Sequence, residues 1–373
     1  MPERPAPLVL VTLPGVEQPF GTHAAVAAEG QRLLATDLSR RLGRQGAAIA
    51  PLPAASADGF HWGRWFTAGA RRALDAATGS VDAIGYAGGG ALCLVADDAL
   101  DALLSPIAGE VVANNRFSAD AFVVAGDLHR ALEALTDCDS DNGASRALND
   151  AGFAWRDLGS TPWARFDVDT TLDLALLRLA TRLDMVRPMD GSVRGFLEMA
   201  RLPGGGGLEV PHLGRLGEVI RDRSAELVVA GRLPGATMAE LETETACRVR
   251  AFVEERGMRS ARGGAAPRSL LATFATLTSP AGLVAELARL GDAVVLDSRV
   301  LMAAHAGSAE AADWPPEEER FASDFGDATR IATPWLRELT EAAADAPVPV
   351  LMGGHALVSD GLRLIVAAAW QGR

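Results

Sequence analysis

A chain of 373 residues, 49% of them hydrophobic, is long enough for two substantial cores. Its 35 basic against 48 acidic residues leave a net charge of −13, a poor match to nucleic acid, whose phosphates reward clustered cations, though a local basic pocket for a small phosphorylated substrate stays open. No uncharged apolar run reaches about 18 residues, and the opening Met1-Pro-Glu-Arg-Pro-Ala-Pro has no apolar leader, so a cytoplasmic chain without a membrane span is expected.

Leu8 to Leu13 is an apolar run that reads as a buried strand, ended by Pro14-Gly15. The loop that follows carries neither the dinucleotide fingerprint nor the P-loop pattern. His23 to Leu42 reads as a helix with Leu33, Leu34, Leu38 and Leu42 on its apolar side. Ala47 to Ala50 reads as a strand. Phe60 to Phe66 gathers His61, Trp62 and Trp65 beside Arg64, a cluster that suits base stacking, core cover or a subunit contact. Val81 to Tyr86 reads as a central strand running into Ala87-Gly88-Gly89-Gly90. Three glycines at a strand end are entropically costly and suit a close backbone approach, so Gly88 and Gly89 are candidate ligand contacts.

Gly109 to Ala113 is a further strand, ending in Asn114-Asn115-Arg116-Phe117-Ser118-Ala119-Asp120. Asn114 and Asn115 can read a base or a hydroxyl, Arg116 can clamp a phosphate, and Asp120 can take a cation. The same residues also make a turn that satisfies its own backbone. Phe122 to Val124 reads as a short strand, and His129 to Leu135 and Arg146 to Ala151 as helices. In Arg165-Phe-Asp-Val-Asp-Thr-Thr-Leu-Asp-Leu174, Phe166 and Val168 alternate with Asp167 and Asp169, which reads as a strand with two carboxylates near its end. Thr170 or Thr171 then caps a helix whose stripe is Leu172, Leu176, Leu177 and Leu179.

The run Asn142-Gly-Ala-Ser-Arg-Ala-Leu-Asn-Asp-Ala-Gly-Phe153 followed by Arg165 to Leu174 resembles the closing portion of nucleotidyltransferases of the molybdenum cofactor guanylyltransferase and 2-phospho-L-lactate guanylyltransferase type. Gly88 to Asp98 resembles the segment in which that superfamily places an acidic residue ahead of a helix. The resemblance implies a Rossmann-like, glycosyltransferase-A-like α/β domain over residues 1–183, with Asp167 and Asp169 as the late carboxylates on a metal. The Gly-rich loop with its Arg and Lys is replaced here by Leu13-Pro-Gly-Val-Glu-Gln-Pro-Phe-Gly21.

Residues 184–373 read as a second α/β domain, an acceptor-binding or interface domain. Gly204 to Gly207 suits a linker, and Glu226 to Ala230 a strand. Thr237 to Glu255 reads as one helix with Glu240, Glu244 and Arg248 along a face. Leu270 to Ala275 reads as a strand, Ala281 to Leu290 as a helix, Asp292 to Asp297 as a strand and Ile331 to Ala344 as a helix. Val348 to Met352 is a strand that Pro349 puts at an edge. Gly353-Gly354 then leads into a helix from Ala356, with His355 at its start as a candidate base or anion ligand. A Ser298, His355, Asp297 nucleophilic set lacks the elbow motif that marks one.

These readings lead to an enzyme handling a nucleotide or phosphorylated small molecule. Arg116, Asp120 and His355 stand on the chemistry; Gly88, Gly89, Asn114, Asn115 and Arg116 hold the nucleotide; Asp167 and Asp169 hold Mg2+, the cation that oxygen donors without paired thiolates favour. A non-catalytic binding protein with the same fold fits as well, as does an assembly protein in which Trp62, Trp65 and Trp314 make a homodimer contact. Neither nucleic acid nor a membrane is an expected partner. The three cysteines have no metal-ligand spacing, and Cys93 and Cys247 read as buried small hydrophobes.

Overall fold

The computed structural model describes residues 5–14, 21–53, 60–116, 118–158, 161–184, 187–255, 258 and 267–371. The chain forms two compact units, one of Met1–Glu17, Ala28–Asp169 and Val186–Phe196, the other of Gln18–Ala27, Thr170–Met185 and Leu197–Arg373. Both are α/β, in a general Rossmann-like arrangement. The loop at 15–20 lies outside the described residues.

The first unit is built on a six-stranded sheet of β1 (Leu8–Leu13), β2 (Ala48–Pro53), β3 (Ala83–Ala87), β4 (Glu110–Ala113), β5 (Ala121–Ala125) and β6 (Ala154–Asp157), in the order β2-β1-β3-β5-β4-β6. Helices cover both faces, which is why β1, β3 and β5 are continuous apolar runs rather than alternating ones. Val9, Leu38, Leu42, Leu100 and Val123 fill one face. Leu10, Leu52, Phe66, Phe122 and Phe153 fill the other. The aromatic cluster read from sequence joins that second core. Trp62 stacks on Phe66 with ring centroids 5.2 Å apart, and Tyr86 meets Trp62 edge-on at 5.3 Å. Such pairs add about 0.5–1.5 kcal/mol each beyond the area they bury. Trp62 is therefore core, not a base platform or a subunit contact.

All neighbouring strands run parallel except β5, which is antiparallel to both β3 and β4. The exception gathers the loops. The end of β3 (Ala87) lies opposite the start of β5 (Ala121), and the end of β4 (Ala113) opposite Phe122. The glycine run after β3, the Asn114 turn after β4 and Asp120 before β5 thus share the edge where parallel sheets place their ligands.

The second unit holds a four-stranded, all-parallel sheet of β7 (Glu226–Gly231), β8 (Arg248–Val253), β9 (Ala293–Asp297) and β10 (Val350–Gly353), in the order β10-β9-β7-β8. The edge position expected of β10 is found. Val228, Val294, Leu296 and Met352 pack with Leu283 and Leu287 of α11 (Pro280–Arg289) and with Leu336 and Leu339 of α14 (Pro334–Ala344). On the other side lies α6 (Thr171–Arg182), in which every residue from Thr171 to Ala180 is buried. Thr170 caps it. Its hydroxyl accepts from the Asp173 amide at 3.2 Å, while the Asp173 carboxylate accepts the Thr170 amide at 2.9 Å.

Three expectations are corrected. Residues 165–169 form no strand; Phe166 and Val168 are buried on an extended segment outside either sheet. The helix expected to reach Glu255 is α9 (Gly235–Glu244), and Arg248 opens β8 instead. Arg248 and Arg250 there face Glu226 of β7 at 3.7 and 2.7 Å, so a salt-bridged edge strand had imitated a charged helix face. The apolar run from Leu270 is α10 (Leu270–Leu277), not a strand; Ser269 caps it, accepting from the Ala272 amide at 2.9 Å. Among the described residues no single helix is long and apolar enough to cross a membrane; α10 and α11 reach that apolarity only as a pair bent by 116°. The three cysteines are free and buried.

Candidate functional site

At the loop edge of the first sheet, Asn114 is the organising side chain. It is buried; its Nδ2 donates to Asp120 Oδ2 and to the Ala164 carbonyl, both at 3.1 Å, and its Oδ1 accepts the Ala121 amide at 3.0 Å. Its polar atoms are engaged within the fold. These bonds hold the Asp120 side chain and the start of β5 in place. Asn115 is half-buried, and Arg116 is exposed with its guanidinium 4.9 Å from the centroid of the Trp155 ring, a cation–π contact that lays it along β6.

The glycine run meets the carboxylate segment closely. The Gly88 amide donates to the Asp120 carbonyl at 2.8 Å. A Cβ on Gly89 would come within 3.2 Å of the Thr12 carbonyl oxygen, and one on Gly90 within 2.3 Å of the Val168 carbonyl oxygen and 2.8 Å of Asp167 Oδ1. Gly90, not Gly88 or Gly89, is thus the position that must lack a side chain. Gln31 ties the segment from its other side, with Nε2 donating to the Val168 carbonyl at 2.8 Å. Asp167 is half-buried and takes the Val168 amide on Oδ1 at 2.9 Å; Asp169 is exposed.

Electrostatically these carboxylates form one group. Burial, and then the charges of Asp141 and Asp169, push Asp120 up to about 7, although the Asn114 hydrogen bond opposes the rise. Burial holds the Tyr86 phenol well above its ordinary value, reinforced by Asp141, Asp120 and Asp167. Asp141 lies in the acidic run Asp137 to Asn142, whose density of carboxylates is the only local signal of it. No group of three or more His, Cys, Asp or Glu is placed to hold a metal among the described residues. Mg2+ needs no such cage, since it commonly takes one or two carboxylates and completes its shell with water and phosphate oxygens.

His355 belongs to the second unit. It is exposed, at the loop edge of the second sheet. Asp297, fully buried at the end of β9, accepts from Arg232 Nε at 2.6 Å and Nη2 at 3.0 Å. Burial pulls this carboxyl upward, but Arg232, His355 and Arg299 together hold it below its ordinary value. Ser298 donates to the Gly353 carbonyl at 3.3 Å and accepts from Arg299, whose guanidinium forks onto Asp324 at 2.7 and 2.6 Å. Ser298 is buried in this network and is not presented as a nucleophile. Gly231, at φ +120°, gives Asp297 its room: a Cβ there would sit 2.4 Å from the Asp297 Cβ.

Set against known proteins, the chain matches no family model, no curated protein and no solved structure.

Proposed function

We propose that the first unit binds a nucleotide or a phosphorylated small molecule through a divalent cation, and that the chain is a nucleotidyltransferase of glycosyltransferase-A-like type. The observation that carries this reading is the meeting of the glycine run, the Asn114–Asp120 pair and Asp167 at one sheet edge, where burial and the charges of Asp141 and Asp169 hold Asp120 above its ordinary value. Carboxylates that raise one another's proton affinity favour either protons or a cation. Mg2+ suits their oxygen donors, and Asp167 and Asp169 are the residues to hold it. Bound there, the ion would offset charge on the phosphates during in-line attack on phosphorus.

The chain's own groups have separable tasks. Gly88 to Gly90 let backbone come close to the ligand. Asn114 aims Asp120, which at a pKa of about 7 is suited to exchange a proton with an acceptor hydroxyl. Arg116, exposed and laid on Trp155, is the group to meet phosphate oxygens. The second unit has a candidate group of its own in His355, which stands beside the Arg232–Asp297 pair.

Calorimetric titration of the whole chain with ATP, GTP, CTP and UTP, with and without Mg2+, tests the reading. Binding that requires Mg2+ and disappears in the Asp167→Asn, Asp169→Asn double variant is expected. Pyrophosphate release with an acceptor then separates transferase from binding protein. Nucleotide binding that ignores both Mg2+ and the two carboxylates, or no binding at all, sinks it.

A further inference from the structure

His23 is a buried histidine outside both the carboxylate group and the Arg232–Asp297 network. It opens α1 (His23–Arg44), whose first residues, to Ala27, belong to the second unit. The residue is 1% exposed. Its ring lies against Phe325 with centroids 5.5 Å apart, and its Nδ1 is 3.5 Å from the Thr171 hydroxyl of α6. Its Nε2 is buried and has no hydrogen-bond partner. The next residue holds α13 (Glu317–Asp324): the Ala24 amide donates to Glu318 Oε2 at 2.9 Å. Glu318 Oε1 is likewise buried without a hydrogen bond, and stands 3.9 Å from Arg330 Nη1.

The first turn of α1 is thus held by α6, by α13 and by the Phe325 that follows α13, and two polar atoms are left unpaired in the contact. Unpaired buried polar atoms are destabilising, and a phenyl ring in place of the imidazole would fill the same space without them. What the imidazole adds is the capacity to take a proton near neutral pH. The charged groups facing it are Glu318 on α13, with Asp327 and Arg330 in the turn beyond; α6 contributes the uncharged Thr171. Burial is the largest influence and lowers the proton affinity of the ring. Glu318 and Asp327 oppose it, and Arg330 adds to it.

We propose that His23 is a proton-operated latch on the second unit. Neutral, it seats the first turn of α1 between Thr171 and Phe325. Protonated on both ring nitrogens, it leaves that site for water, and the bond from Ala24 to Glu318 opens with it. The released ring titrates at the ordinary 6.5 and the seated ring lower, so between the two values the released state binds more protons and gains population as pH falls. From pH 7 to pH 5 the gain is at most about 25-fold, the limit for a seated ring that takes no proton at all.

Amide hydrogen exchange of the full chain without ligand, at pH 7 and pH 5 and corrected for the intrinsic rate, tests this. The amides of Ala24 to Ala27 are expected to lose protection several-fold at pH 5, within the limit above, while those of β9 keep theirs. His23→Phe keeps a ring on Phe325 and is expected to abolish the loss. Glu318→Gln keeps an acceptor for the Ala24 amide but removes a charge that favours the proton on the seated ring, so its loss is expected to exceed that of the parent chain. Protection at Ala24 to Ala27 that ignores pH overturns the latch, as does an equal loss in His23→Phe. A loss shared equally by β9 also overturns it, since that is unfolding of the unit and not release of one turn. Should His23→Phe fail to fold, a loss in Glu318→Gln no larger than that of the parent chain overturns it.

Discussion

Replacing Asp120 by Asn keeps the shape of the side chain and removes its charge. Asp120 is held at about 7 in the folded chain against an ordinary 3.8. Between those values the folded state binds more protons than the unfolded one, so stability falls as pH rises. The penalty is absent below 3.8 and complete above about 7. At 1.36 kcal/mol per pH unit the interval corresponds to roughly 4 kcal/mol for a sealed carboxyl. Asp120 is half-buried, and screening by water reduces this to about 2 kcal/mol. Asp120→Asn escapes the penalty, so its melting temperature should gain on the parent chain as pH rises from 5 to 8. About 1.2 kcal/mol of this accrues between pH 5 and 7, so at roughly 2–4 °C per kcal/mol the gain is about 2–5 °C. Calorimetric melts of both chains at unit pH steps measure it, and using the difference cancels the titration of unrelated groups. Added Mg2+ should shrink the gain, since a cation relieves the same crowding. A difference that stays flat from pH 5 to 8 refutes the electrostatic account of the site.

Gly90→Ala pushes a methyl into the Val168 carbonyl and Asp167; a loss of about 1–3 kcal/mol in denaturant unfolding is expected, with Mg2+ affinity reduced alongside. Thr170→Ala removes the cap of the buried helix α6 and should cost about 1 kcal/mol, read from the shift in urea midpoint at constant slope. Gly231→Ala combines a left-handed backbone with a clash against Asp297, and should destabilise by at least about 2 kcal/mol with faster amide exchange across β7 and β9.

Where burial is two-sided and local pattern agrees with it, the fold was legible: Leu8 to Leu13, Ala293 to Asp297 and the capped helix after Thr170 are found as expected. The misreadings have physical causes. A short apolar run such as Leu270 to Leu277 has no period that separates helix from strand; a serine cap and a largely exposed position decided it. Arg248 to Val253 alternates charge with apolar residues, and at sheet-edge exposure that is indistinguishable from the continuing face of a charged helix. β6, Ala154 to Asp157, is four residues long and partly exposed, too weak a pattern to read. The grouping of Gly88–Gly90, Asn114 and Asp120 was visible only as three separate loops. Their meeting depends on the reversed direction of β5, which no local signal encodes.

That reversed strand also makes the Asn114-to-Asp120 connection a hairpin tip rather than a crossover. Its two ends are clamped by reciprocal bonds between Asn114 and Ala121: the amide of each donates to the other residue, Asn114 to the backbone carbonyl and Ala121 to the side chain, both at 3.0 Å. Closing a longer tip on the same clamp is entropically cheap, at roughly 0.6 kcal/mol for each doubling of length. Within the connection Ala119 is fully buried in the core and Asp120 holds Asn114 and the Gly88 amide, so exchange or lengthening at little cost to the sheet is confined to the exposed side around Arg116. Ligand preference at this edge can be re-engineered by grafting around Arg116 while Asn114 and the run from Ala119 to Ala121 are left in place.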